Sequence, residues 1–259
     1  VNKIQQTNFF KNILSNYGGI HSQRNLPTYS NQKLTAWYHQ QEKFQSDQKV
    51  VLFADTYINH HEIQLGKHAI QLLNDCGYEV ILAEVGCCQR PLISNGFLKE
   101  AKVAGTKTAQ GLEEYLKAGI PILVLEPSCF SALSEDLPDL MDDAELAKLM
   151  NQGVFQMEDF LTQQWVAGKL DGEFTPMNDT AVVIHGHCHQ KALQGMTAIE
   201  HLLNLASIPY EILDTGCCGM AGAFGYEKNH YEISVKIANE SLVPALKRKP
   251  EAEVVANGF

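Results

Sequence analysis

The chain contains its own repeat, and a repeat constrains the fold more than any single motif does. Leu72-Leu73-Asn74, Tyr78-Glu79-Val80 and Gly86-Cys87-Cys88 return in the same order as Leu202-Leu203-Asn204, Tyr210-Glu211-Ile212 and Gly216-Cys217-Cys218. In the first copy the apolar run at residues 50–54 ends at Asp55. A helical pattern follows, with Ile63, Ala69, Ile70, Leu72 and Leu73 on one face and Gly77 closing it. Residues 78–83 read as a strand leading into the cysteine pair, residues 97–117 as a helix, and residues 121–125 as a strand that stops at Glu126-Pro127-Ser128-Cys129. The second copy offers strands at 181–184, 210–213 and 253–256, with helices near 191–206 and 227–247 between them.

Strands alternating with helices predict an α/β fold with parallel sheets and crossover connections. The expected architecture is two pseudo-symmetric Rossmann-like halves plus an N-terminal helical arm and a helical connector. Residues 1–48 form the arm, 49–130 the first half, 131–180 the connector and 181–259 the second half. Within the connector, residues 131–168 read as helical, with Asp142 as an N-cap, and residues 169–179 as turn-rich.

With 259 residues, 45% of them hydrophobic, the chain can bury a sizeable core. Its formal charge of −10 opposes nucleic acid as a partner, because phosphate backbones are gripped by clustered Lys and Arg. No apolar run approaches the length of a transmembrane segment. The chain opens on Val1 and a polar helical stretch, which reads as a segment cut from a longer cytoplasmic protein, or one peripheral to the inner membrane.

Seven cysteines with two adjacent pairs make a poor disulfide framework but suit reduced thiols held for metal or redox work. Cys87, Cys88, Cys129, Cys188, Cys217 and Cys218 all fall at expected strand ends, where open parallel sheets bind ligands. Cys76, before the helix-closing Gly77, reads as structural. Adjacent thiolates diverge, which favours the several corners of an iron–sulfur cluster over one tetrahedral ion. Zinc and a thiol–disulfide couple stay open as alternatives. His185, His187 and His189 alternate along an expected extended stretch around Cys188 and would face one side. Gly219, Gly222 and Gly225 would form a close backbone turn around a cofactor, at a spacing unlike that of the dinucleotide fingerprint.

These motifs resemble the cysteine-rich CCG domain family found in heterodisulfide reductase and in the iron–sulfur subunits of glycolate oxidase and anaerobic glycerol-3-phosphate dehydrogenase. The stretches at 125–129, 185–192 and 216–227 look closer still to the C-terminal region of fused FAD-linked D-2-hydroxyglutarate and D-lactate dehydrogenase-type oxidases. In that family a repeat offers one Cys, a Cys pair and a Cys-x-x-Cys motif. Here Asp55 stands where the leading Cys belongs and Glu126 where the last motif begins, so the first half keeps only Cys87, Cys88 and Cys129. The second keeps Cys188, Cys217 and Cys218, with His187 or Cys129 as candidates to complete a site. The resemblance implies a 4Fe-4S cluster, with zinc the alternative, that relays electrons from a flavin to an acceptor. FAD would sit on upstream domains, beside a ferredoxin-like domain of the same protein, in a homo-oligomer. This segment alone is not expected to be catalytic. Its alternatives are a zinc-stabilised structural or substrate-capping module of such an enzyme, and a thiol–disulfide oxidoreductase.

Overall fold

A computed structural model describes residues 1–170 and 181–258. Three short helices make the arm: α1 (Asn2–Gln5), α2 (Asn8–Tyr17) and α3 (Leu34–Tyr38). β1 (Lys49–Phe53) follows, and Val50, Val51, Leu52 and Phe53 are all fully buried. A strand apolar on both faces needs cover on both. Val50 and Leu52 point into a core with Leu73, Tyr78 and Phe160, whereas Val51 and Phe53 point into another with Leu112, Leu137 and Met150.

Helices α4 (Thr56–His60) and α5 (Ile63–Asp75) lead to β2 (Glu79–Ala83); α6 (Arg90–Ser94) and α7 (Leu98–Lys117) lead to β3 (Ile122–Val124). The chain continues through α8 (Pro127–Ser131), a π-helical turn, α9 (Leu137–Leu140) and α10 (Ala144–Gly153) to β4 (Val154–Gln156) and α11 (Met157–Val166). All pairings are parallel, in the order β2-β1-β3-β4. The second half runs β5 (Val182–His185), α12 (Cys188–Leu193), α13 (Thr197–Leu205), β6 (Tyr210–Ile212), α14 (Tyr231–Glu240), α15 (Leu242–Lys247) and β7 (Glu253–Ala256). Its sheet is also parallel, β6-β5-β7, over a smaller core. The expected α/β class with two parallel sheets is what the chain forms.

Several expectations change in detail. The stretch read as helical between the halves contains β4, which bonds to β3 and completes the first sheet; three residues are too few for a period to show. Asp143, not Asp142, caps α10, its carboxylate accepting from Glu145 and Leu146 N–H. The helix expected near 191–206 is two, parted at Gly195 with φ 77°. That near 227–247 is also two, parted at Ser241. The turn-rich reading of 169–179 lies, from residue 171 on, outside the described residues.

The repeat is real, but one of its three sequence matches is out of step. The Tyr78 N–H bonds to Leu73 O as the Ile208 N–H bonds to Leu203 O, so Tyr78 corresponds to Ile208 rather than to Tyr210. The spacing agrees, with nine positions from Tyr78 to Cys87 and seven from Tyr210 to Cys217. Aligned on strand ends and helix caps, Asp55 falls on His187, Ala83 on Leu213, and Cys87-Cys88 on Cys217-Cys218.

The halves meet along α8 with α12 and α11 with α13. Ser131 Oγ lies 2.8 Å from His189 Nδ1, and Thr162 Oγ1 donates to Ala198 O at 3.2 Å. Residues of the arm bond to both halves, Ser30 N–H to His60 O and His21 N–H to Tyr226 O.

Candidate metal centre

Each cysteine site is built from the same parts. A strand ends, a polar residue caps the next helix, and a cysteine pair follows the neighbouring strand. Asp55 caps α4 by accepting from Tyr57 and Ile58 N–H, Glu126 caps α8 by accepting from Ser128 N–H, and His187 caps α12 by accepting from His189 N–H. The residue after the first cap is Thr56 and after the third is Cys188. Thr56, rather than Asp55, therefore holds the place of the leading cysteine, and its side chain bonds to Cys87. Cys188 bonds to Cys217 in the same way. Reading Asp55 as the replaced ligand was one residue off, because motif spacing alone does not reveal where the helix cap falls.

In the first half, Cys88 Sγ donates to Cys129 Sγ at 2.9 Å. That is closer than the roughly 3.8 Å separating two thiolates on one tetrahedral zinc. The bond to Cys129 and then burial push the Cys88 thiol well up; Cys87 is pushed up by its bond to Cys88 and by burial. The bond from Cys88 pulls Cys129 down, but burial and the charges of Asp55, Glu126 and Cys87 leave it raised. Asp55, 2% exposed, is lifted to about 7 by burial against the pull of its two N–H donors. Cys87 opens on a cleft of about 590 Å³ that Val85, Gln89, Val103 and Lys107 help to line.

In the second half, burial raises the Cys188 thiol, and Cys217 and Cys218 beside it raise it further. Cys129 does not join them, being held against Cys88. His187 accepts the His189 N–H at Nδ1, which leaves the ring proton on Nε2, 3.6 Å from Glu126 Oε1. Both of its nitrogens thus face protein partners, and burial lowers its pKa. The three histidines do not share one extended face. His185 ends β5 and turns to Thr215 Oγ1, while His187 and His189 stack with centroids 5.5 Å apart. Gly219 has φ 83° and Gly222 φ 64°, conformations that favour glycine. Cys76 is buried in the first core.

Among the described residues, no three His, Cys, Asp or Glu side chains stand close enough to hold one metal ion. The soft thiol sets fit an iron–sulfur cluster in donor chemistry, whereas on a single zinc ion the Cys88 and Cys129 sulfurs would have to move apart. Backbone N–H groups favour thiolate at both pairs, Gln89 N–H reaching Cys87 Sγ at 3.4 Å and Gly219 N–H reaching Cys217 Sγ at 3.3 Å.

Residues 182–259 match the CCG family, a cysteine-rich domain. The CCG segment begins at β5 and takes in Cys188, Cys217 and Cys218. An anaerobic glycerol-3-phosphate dehydrogenase subunit of Escherichia coli (strain K12) is 31% identical over 227 residues, covering 84% of this chain and 55% of that protein. D-2-hydroxyglutarate dehydrogenase of Pantoea ananatis is 26% identical over 218 residues, 83% of this chain and 20% of that enzyme. Lactate utilization protein A of Bacillus subtilis is 25% identical over 206 residues, 75% of this chain and 81% of that protein. The chain thus spans about half of the first relative's length and a fifth of the second's. The resemblance to CCG-containing oxidoreductases holds. Among the described residues, no helix is long and apolar enough to cross a membrane.

Motif reading missed Thr56, Arg90 and Arg24. Arg90 donates to Ser128 O and Ser131 Oγ, tying the turn after Cys87-Cys88 to the helix of Cys129. Comparing helix caps would have found Thr56; nothing in the sequence marks the two arginines.

Proposed function

We propose that this chain is the metal-binding electron-transfer region of a FAD-linked D-2-hydroxy acid dehydrogenase, of the D-2-hydroxyglutarate or D-lactate type. Cys188, Cys217 and Cys218 form the principal site, and Cys87, Cys88 and Cys129 a second one. The observation that carries this reading is the equivalence of the two sites: each sets a cysteine pair at a strand end with a backbone N–H turned onto the first sulfur. A bound iron–sulfur cluster takes up and gives away single electrons, which is what a flavin reduced by hydride needs from its neighbour. The chain's part is to supply thiolates and to donate N–H to sulfur, with Gly219 packed on α14. FAD and a ferredoxin-like domain belong to other domains of the same protein, which forms a homo-oligomer in the cytoplasm or on the inner membrane and passes its electrons to a separate acceptor.

The test is anaerobic purification of the full-length protein with iron, sulfide and zinc analysis, followed by reductive titration. The expected result is visible absorption that bleaches on reduction. Cys217→Ser should lower bound iron and block delivery to an external acceptor while the hydroxy acid still reduces the flavin. A colourless protein with stoichiometric zinc would overturn the relay in favour of a structural module.

A further inference from the structure

The arm reaches the second cysteine site from outside the matched residues. Lys228 N–H donates to Gly19 O at 2.7 Å and His21 N–H to Tyr226 O at 2.8 Å, so residues 19–21 run antiparallel to 226–228. Arg24 then reaches from the C-terminal end of the glycine-rich turn to α14. Its Nε donates to Gly225 O at 2.7 Å, its Nη2 donates to Ser234 Oγ at 2.8 Å, and its guanidinium lies 4.9 Å from the Tyr231 ring centroid. Tyr231 is fixed in turn, stacking on His21 at 3.7 Å and donating its hydroxyl to Gln23 Oε1 at 2.6 Å.

Both partners of Arg24 bear on the cysteine turn. Ser234, 1% exposed, presses its carbonyl on Gly219, where a Cβ would lie 2.3 Å from Ser234 O. Gly225 returns its N–H to Met220 O at 2.8 Å, and a Cβ on it would meet Gly219 O at 3.0 Å. Gly219 in turn donates to Cys217 Sγ. We infer that Arg24 is a positioning residue for the Cys217-Cys218-Gly219 turn, clamping residues 219–225 to α14 so that the thiols stay in place for metal. The inference rests on the metal reading above and adds a part that the CCG segment does not carry. Arginine suits the task because its planar fork serves two acceptors and stacks on an aromatic ring at once, which lysine does not. The arm goes on through α3 to α4 in the first half, where Thr35 N–H donates to Asn59 Oδ1 at 3.2 Å.

The experiment compares wild type, Arg24→Ala and Arg24→Lys in the full-length protein. In metal-free protein, alkylation by iodoacetamide is followed at each cysteine by mass spectrometry; in iron-loaded protein, iron release to a chelator is timed. Arg24→Ala should speed labelling of Cys217 and Cys218 roughly tenfold through loss of two charge-assisted bonds, with Cys87 and Cys88 unchanged and iron released faster. Arg24→Lys should fall between. Unchanged labelling at Cys217 and Cys218 overturns the clamp, and so does equal acceleration at all cysteines, which is general loosening. If wild type takes up no iron while the labelling pattern still changes as expected, the clamp stands and the metal reading fails.

Discussion

Gln89 and Gly219 both take a positive φ at one step of the repeat, 65° and 83°. Each follows a cysteine pair, and each turns its N–H back to the first sulfur of that pair. The left-handed conformation costs a side chain about 1–2 kcal/mol. In the first half the Gln89 side chain recovers part of that through a bond from Nε2 to Cys87 O. In the second half there is no space for a side chain, because Ser234 O lies against Gly219.

That difference predicts unequal tolerance. Gly219→Ala should cost at least about 2 kcal/mol, from backbone strain and from the clash with a carbonyl that cannot swing away. Gln89→Gly should change stability by no more than about 1 kcal/mol, since relief of strain and loss of one hydrogen bond oppose each other. Urea denaturation of the two metal-free variants checks this; equal costs would mean that the turns are not built alike.

The course of the chain was largely legible because periodicity reports burial. Val50 to Phe53 is apolar throughout since both faces of β1 are covered, and α5 and α7 carry their apolar residues at helical spacing. The cysteine pairs were legible because chemistry-bearing residues gather at strand ends. Register was not. Tyr78-Glu79 and Tyr210-Glu211 match as letters but sit two steps apart on their strands, since letters do not record which N–H meets which carbonyl. β4 is too short to declare itself, and Arg24 acts across 201 positions of sequence, a distance that no local pattern spans.

Thr56 occupying the place of Cys188 leads to a gain-of-ligand test. Thr56→Cys would put a thiol beside Cys87, as Cys188 stands beside Cys217. Anaerobically reconstituted Thr56→Cys should hold more iron per chain than wild type and retain it longer against a chelator. Identical iron content and release would show that the first half lacks more than this one ligand.

Arg90 should resist replacement by lysine. Its Nε and Nη2 reach Ser128 O at 3.0 Å and Ser131 Oγ at 2.7 Å, with Asp136 on the same fork. A lysine cannot serve these acceptors together, so Arg90→Lys should cost about 1–3 kcal/mol. It should also speed alkylation of Cys129, whose helix Arg90 holds. A variant with wild-type urea midpoint and wild-type labelling would count against this role.

Asp55 sets a pH dependence whose sign is fixed by its environment. The carboxyl is 2% exposed; Oδ1 accepts from Tyr57 N–H at 2.7 Å and Ile58 N–H at 3.1 Å, and Oδ2 is buried without a partner. Burial outweighs the two donors, with Glu126 and Cys87 adding to it, and lifts the pKa from 3.8 to about 7. The folded chain therefore binds this proton more tightly than the unfolded chain does. The stability it contributes is fully present below pH 3.8 and is lost as pH rises to about 7, beyond which the loss is complete. Asp55→Asn keeps an oxygen at the cap and removes the ionisation. Above pH 7 the variant should exceed wild type by about 2–4 kcal/mol, on the scale of 1.36 kcal/mol per pKa unit. Below pH 4 the two should converge. Urea midpoints of the metal-free proteins from pH 4 to pH 8 measure the gap, and parallel curves for the two would show that Asp55 is not the group that titrates.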